Sequence, residues 1–215
     1  TSALAAHCEK NGVEFRFGTR IERIDGEGDR IAGVVTDKGR LEAEAYVLSL
    51  GNHSPVLARP LGIKLPIYPV KGYSLSIPIG NHRGAPTLGA VDEDNLVALA
   101  PMGDRLRVTA TAEFAGYDTS HKPSDFDHML SVAEELYAEG ADYKRAEHWA
   151  GLRPMTPEGT PIIGRTRYGN LYVNSGQGHM GWTMSHGSAR LAADLIAGRQ
   201  TAIPLDGMTV TASMQ

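Results

Sequence analysis

The sequence predicts a mixed α/β protein, an α+β arrangement with more than one sheet, on three observations. Alternating segments follow one another closely near the start, strands punctuated by proline and glycine begin again near residue 68, and the end reads strand, glycine-rich loop, amphipathic helix.

Residues 2–10 have helical character, and Asn11-Gly12 is a C-terminal stop. Residues 13–17 (Val-Glu-Phe-Arg-Phe) alternate like a strand. Residues 21–24, 31–36 and 41–45 continue the alternation, separated by the turns at 25–29 and 37–39, which predicts an antiparallel meander. Residues 46–51 (Tyr-Val-Leu-Ser-Leu-Gly) form a continuous apolar run closed by glycine, the pattern of a buried central strand whose end meets a ligand. A tight turn after a core strand explains the same pattern. Residues 68–76, 96–100 and 106–112 read as strands of a second sheet. Ser124 opens a helix with Asp125 and Asp127 in its first turn, where acids suit the macrodipole, and Gly140 closes it. Short strands are then expected at 149–153 and 161–164.

The closing unit carries a literal Gly-x-Gly-x-x-Gly: Gly176, Gln177, Gly178, His179, Met180, Gly181. A dinucleotide-binding crossover needs a further strand and an acidic residue about 20 positions on. Here the helix stops at Gly198 and residues 199–215 are polar, interrupted by Pro204. The motif therefore reads as a loop whose N–H groups and helix N-terminus face an anionic part of a ligand.

With 215 residues, 41% of them hydrophobic, the chain can bury a real core in one large or two small domains. A net charge of −4 with interspersed signs provides no basic stripe for nucleic acid and no polybasic membrane anchor. Cys8 stands alone, which precludes an internal disulfide and suits a reducing compartment. His53, His179 and His186 form no recognised metal-ligand pattern with Cys8, so no metal is expected. Thr1 leads directly into a helix-like segment, and the chain is expected to be part of a longer protein.

Residues 151–164 (Gly-Leu-Arg-Pro-Met-Thr-Pro-Glu-Gly-Thr-Pro-Ile-Ile-Gly) and 178–183 closely resemble the C-terminal part of FAD-dependent D-amino acid dehydrogenases, within the D-amino acid oxidase and glycine oxidase superfamily. Residues 70–75 and 103–108 look like the same family's substrate-domain strands, and the resemblance covers essentially the whole chain. It implies a partial Rossmann-like FAD domain interleaved with a mixed-sheet substrate domain: 1–69 and 149–215 in the FAD domain, 70–148 in the substrate domain. The family's own pyrophosphate-binding glycine motif lies in a first strand-helix unit that this sequence does not contain. Exposed edges at that place imply self-association.

By the same resemblance, Arg153 is the substrate-binding arginine, since a guanidinium matches a carboxylate bidentately and stays charged. Tyr73, Lys71 and Glu113 are candidates for the substrate pocket. Gly51, Gly176, Gln177, Gly178, His179, Met180, Gly181, Trp182 and Thr183 are expected at FAD, where a helix end stabilises negative charge collecting on the flavin. No side chain is nominated as catalytic acid or base, because the flavin carries the chemistry. Two positions depart from the family's pattern: Gln177 stands where a histidine is usual, and residues 97–101 lack a pocket tyrosine.

The implied activity is oxidative deamination of D-amino acids, with electrons passed to an acceptor the sequence does not identify. Glycine or sarcosine oxidation, or D-hydroxyproline dehydrogenation, is the alternative enzyme reading. A catalytically inert piece unable to hold FAD alone is the alternative of another class. A cytoplasmic location, with peripheral attachment to the inner face of the membrane, follows from the resemblance only.

Overall fold

Residues 1–215 are described by a computed structural model. The first part contains α1 (Ser2–Lys10), β1 (Ile21–Glu27), β2 (Arg30–Thr36), β3 (Gly39–Leu41), β4 (Tyr46–Leu48) and α2 (Ser54–Ala58). The middle contains β5 (Tyr68–Pro78), β6 (Ala90–Asp92), β7 (Val97–Met102), β8 (Arg105–Glu113) and α3 (Asp127–Leu136). β9 (Glu147–Met155), β10 (Ile162–Arg165), β11 (Leu171–Ser175) and α4 (Gly181–Ile196) complete the chain. The mixed α/β class expected from the sequence is the class observed.

β1, β2 and β3 form the antiparallel meander that the alternation predicts. Two neighbouring expectations fail. Residues 13–17 form no strand, because no neighbour offers them a ladder; Phe15 and Phe17 stack on each other instead, with centroids 5.5 Å apart. Pairing of the third segment also ends at Leu41, so residues 42–45 are not sheet. Asn170 ties the meander to the next sheet, its Oδ1 accepting from the Ile31 N–H at 2.7 Å and its Nδ2 donating to the Ile31 carbonyl at 2.9 Å.

The second sheet has the order β10-β11-β4, with β10 antiparallel and β4 parallel to β11. β4 is therefore an edge strand and not the central strand its apolar run suggests. Leu48 is 3% exposed but Val47 is 45% exposed, since nothing pairs with the outer edge or covers the outer face. Ile63, Ile67, Ile162, Leu171 and Val173 pack with Leu48 in the core of this region, and α4 lies against β10 and β11. Asp194 near the end of α4 accepts from Arg199 Nε and Arg190 Nε, each at 2.8 Å, and these two guanidiniums hold its carboxyl below the usual carboxylate range.

The third sheet has the order β6-β7-β8-β5-β9, all neighbours antiparallel. Strand alternation gives it two faces. On one, Tyr73, Leu75, Ile77, Leu99, Leu106 and Val108 pack against Phe126, Met129 and Val132 of the α3 segment. A 3₁₀ turn at Pro123–Phe126 leads into α3, as the expected opening at Ser124 requires, but the regular helix ends at Leu136; Gly140 lies in the turn beyond, its N–H bonded to the Tyr137 carbonyl. β9 pairs with β5 from Glu147 to Met155, so this sheet draws on residues either side of 69/70 and of 148/149.

Candidate active site

The other face of the third sheet is open. Gly72, Ser74 and Ser76 of β5 face this side with Trp149, Gly151 and Arg153 of β9 and Arg107 and Thr109 of β8, by register. All but Ser76 border a cleft of about 1420 Å³ that reaches Met155, Gly178 and His179 at its other end. Gly72 and Gly151 are register partners, and their missing side chains make the floor. A Cβ on Gly72 would stand 2.4 Å from Arg153 Cζ, and one on Gly151 would stand 2.1 Å from the Trp149 ring. The guanidinium lies over one glycine and the indole over the other.

Arg153 Nη1 donates to the Thr111 carbonyl at 3.1 Å and makes no salt bridge. No aspartate or glutamate lines the cleft. Burial lowers the Arg153 pKa, since desolvation disfavours the charged form, yet a guanidinium still holds its proton. Thr111 has φ +65, and the register between β5 and β8 shifts at Gly72/Tyr73. This is a β-bulge, and the left-handed backbone of a non-glycine residue costs about 1–2 kcal/mol. Its carbonyl is the one the arginine uses.

At the far end the glycine loop presses against the end of β9. Gly176 (φ +81) would place a Cβ 2.7 Å from Thr156 Cγ2, and Gly178 (φ +57) would place one 3.0 Å from Met155 Sδ. Both positions need glycine for conformation and for space. Gln177 turns away, its Nε2 donating to Asn174 Oδ1 at 2.6 Å. A 3₁₀ turn (Gly178–Met180) runs directly into α4, and neither start has a side-chain cap, so no side chain occupies the first N–H groups there. Gly181 stands at that start, followed by Trp182, which is 72% exposed, and Thr183, also exposed.

Gly51 (φ +53) sits just beyond β4, beside Pro154 of β9, and its carbonyl accepts from Ser175 Oγ at 3.2 Å. Gly51 and the glycine loop therefore adjoin at the carboxyl ends of two parallel strands, where α/β sheets place ligands. Asn52, which the sequence reading did not single out, donates from Nδ2 to the Leu152 carbonyl at 2.9 Å, while its Oδ1 is buried with no partner. The unpartnered oxygen, the uncapped helix start and the glycine cradle are a donor and acceptor set that suits a polar, anionic cofactor such as FAD.

Lys71, Tyr73 and Glu113 come together with one another, but Lys71 and Glu113 do not join Arg153. Parity on β5 sends Lys71 and Tyr73 to the α3 side, where a separate polar cavity of about 700 Å³ lies. Tyr73 donates to Glu113 Oε2, and Lys71, only 3% exposed, donates to the Ser120 carbonyl at 2.5 Å and lies 3.4 Å from Glu113 Oε2. The neighbouring Tyr73 hydroxyl, helped by Glu113, raises the Lys71 pKa against its burial; burial first, and then the bond to Glu113, raises that of Tyr73. Tyr73, Thr111 and Ala112 border both cavities. Trp149, Thr111 and Arg107 were not singled out in the sequence either. For Trp149 a signal existed, since Trp-x-Gly-x-Arg puts an indole, a gap and a cation on one face of a strand.

An open sheet face carrying an arginine without an acidic partner thus lies beside a glycine loop at the ends of two parallel strands. Residues 1–195 match the family model for FAD dependent oxidoreductases, and the chain belongs to that family. It is 48% identical over 210 residues to the D-amino acid dehydrogenase of Paramagnetospirillum magneticum, covering 98% of this chain and 50% of that protein. The D-amino acid dehydrogenase of Chromohalobacter salexigens is 50% identical over 212 residues, covering 98% and 51%. The chain thus spans about half the length of the curated relatives it matches. Among solved structures, glycine oxidase from Geobacillus kaustophilus superposes with a TM-score of 0.83 at 25% identity, over 98% of this chain and 56% of that one. L-Proline dehydrogenase from P. horikoshii has the same fold, with a TM-score of 0.82 at 20% identity, over 95% of this chain and 56% of that one.

Proposed function

We propose that this chain forms the substrate site and part of the cofactor site of an enzyme that oxidises D-amino acids to 2-oxo acids and ammonia. The observation that carries the reading is Arg153, a guanidinium with no acidic partner in a cleft free of carboxylates, sharing that cleft with Gly178 and His179. Arg153 holds the substrate carboxylate, and the Thr111 carbonyl fixes the guanidinium in place. Residues 176–183, with Gly51 and Asn52 beside them, hold FAD through N–H groups and the helix N-terminus. The chemistry FAD would supply when bound there is acceptance of the hydride lost from the substrate Cα as the C–N bond becomes an imine. Water then converts the imine to oxo acid and ammonia. The D-amino acid dehydrogenases among the relatives support the choice of substrate.

The division 1–69, 70–148 and 149–215 belongs to the same reading, with β5 and β9 as the long strands that join the FAD and substrate parts. The electron acceptor is a separate molecule, and attachment is peripheral, to the inner face of the membrane from the cytoplasm; the single Cys8 is in keeping with that compartment. Self-association through the open β4 edge fits the exposed Val47. The likeness to glycine oxidase favours one second reading, oxidation of glycine or sarcosine with oxygen as acceptor.

Arg153→Ala in FAD-loaded protein tests the assignment. Loss of about 3 kcal/mol of charge-assisted binding lowers kcat/KM for D-alanine roughly a hundredfold; unchanged kinetics would remove the residue from the site. A panel of D-alanine, glycine and sarcosine, run with oxygen and with an artificial acceptor, separates the two readings.

A further inference from the structure

β9 sets out its side chains in a fixed order along the cleft. Met155 touches the glycine loop at Gly178, Arg153 follows with its guanidinium over Gly72, and Trp149 comes next with its indole over Gly151. Alternate residues of a strand share a face, so the backbone imposes this order. A carboxylate on Arg153 therefore has the cofactor loop on one side and the indole on the other. When the Cα of an amino acid faces the loop, its side chain extends over Trp149.

The surroundings of the indole define what it accepts. Trp149 is 55% exposed, so its ring is open to the cleft. Arg107 stands behind it, with Cζ 5.7 Å from the ring centroid and Nη1 donating to Ser76 Oγ at 2.7 Å. With Arg153 and Arg107 in the cleft and no carboxylate lining it, a cationic side chain meets like charge without a counter-ion. An apolar or aromatic side chain meets an amphipathic ring that favours stacking.

Resting on the reading of Arg153 as the carboxylate anchor, we propose that Trp149 is the specificity-determining residue of this cleft. Its indole carries the substrate side chain, which selects bulky apolar and aromatic D-amino acids, while Arg107 and Arg153 together refuse basic ones.

The test measures kcat/KM in FAD-loaded protein for D-phenylalanine, D-alanine and D-lysine. Trp149→Ala lowers the value for D-phenylalanine by about 10- to 100-fold and that for D-alanine by less than about threefold, because only the larger side chain reaches the ring. Trp149→Phe keeps an aromatic surface and restores D-phenylalanine to within about fivefold of the unsubstituted protein. Arg107→Glu raises turnover of D-lysine relative to D-alanine. A parallel fall for D-phenylalanine and D-alanine, or no change in either, overturns the proposal while leaving the Arg153 reading intact. Failure of the unsubstituted protein to oxidise D-alanine or D-phenylalanine overturns both.

Discussion

On one face of the five-stranded sheet, Leu75, Ile77, Leu99 and Val108 are sealed beneath Phe126 and Met129; on the other, Gly72 of β5 and Gly151, Trp149 and Arg153 of β9 face open space. The closed face is filled with large apolar side chains, which pack to crystal-like density. The open face is built by leaving side chains out, and glycine pairing across β5 and β9 gives a guanidinium and an indole somewhere to lie. Polar chemistry follows the same division. Lys71 and Glu113, on the closed side, satisfy each other and the Ser120 carbonyl, whereas Arg153, on the open side, has a single backbone acceptor. A buried charge that is paired holds structure together; one left without an acid is available to a ligand.

The largest effect comes from breaking the closed face. Phe126→Ala empties a site that is 1% exposed and lowers stability by about 3–5 kcal/mol, read from denaturant unfolding. Ligand binding per folded molecule stays the same if the two faces are independent. Gly72→Ala attacks the open face alone: the added methyl displaces the guanidinium, weakening carboxylate binding by about 1–2 kcal/mol, roughly tenfold, with little change in unfolding. A matching loss of stability would show that this glycine serves packing. Thr111→Gly is the mildest, since glycine adopts the bulge without strain; stability and carboxylate affinity stay within about 1 kcal/mol of the unsubstituted protein. A large drop in affinity would show that the threonine side chain, and not its carbonyl, serves Arg153.

Much of this was legible in the sequence because it is written in local periodicity. The meander, β5, β7, β8, β11 and the loop into α4 follow from alternation and glycine placement. What the sequence did not show depends on neighbours. Residues 13–17 carry a strand pattern but find no ladder, and β4 reads as central although only β11 flanks it. For the site, Arg153 and the glycine loop were legible as chemistry, and the cleft they share emerged only with the pairing of β9 and β5. From sequence, Lys71 and Glu113 resemble pocket residues because polar groups on a strand announce no side. A one-residue offset from Gly72 decides which face they take, and the Thr111 bulge is equally silent in sequence.

The central claim is that Arg153 and the glycine loop act on one ligand from two sides of one cleft. Rapid anaerobic mixing of FAD-loaded protein with D-alanine, followed by flavin absorbance, tests it directly. Flavin bleaching by D-alanine but not L-alanine, slowed roughly a hundredfold by Arg153→Ala at sub-saturating substrate, is the predicted result. Bleaching of the Arg153→Ala protein at the unsubstituted rate would contradict the account.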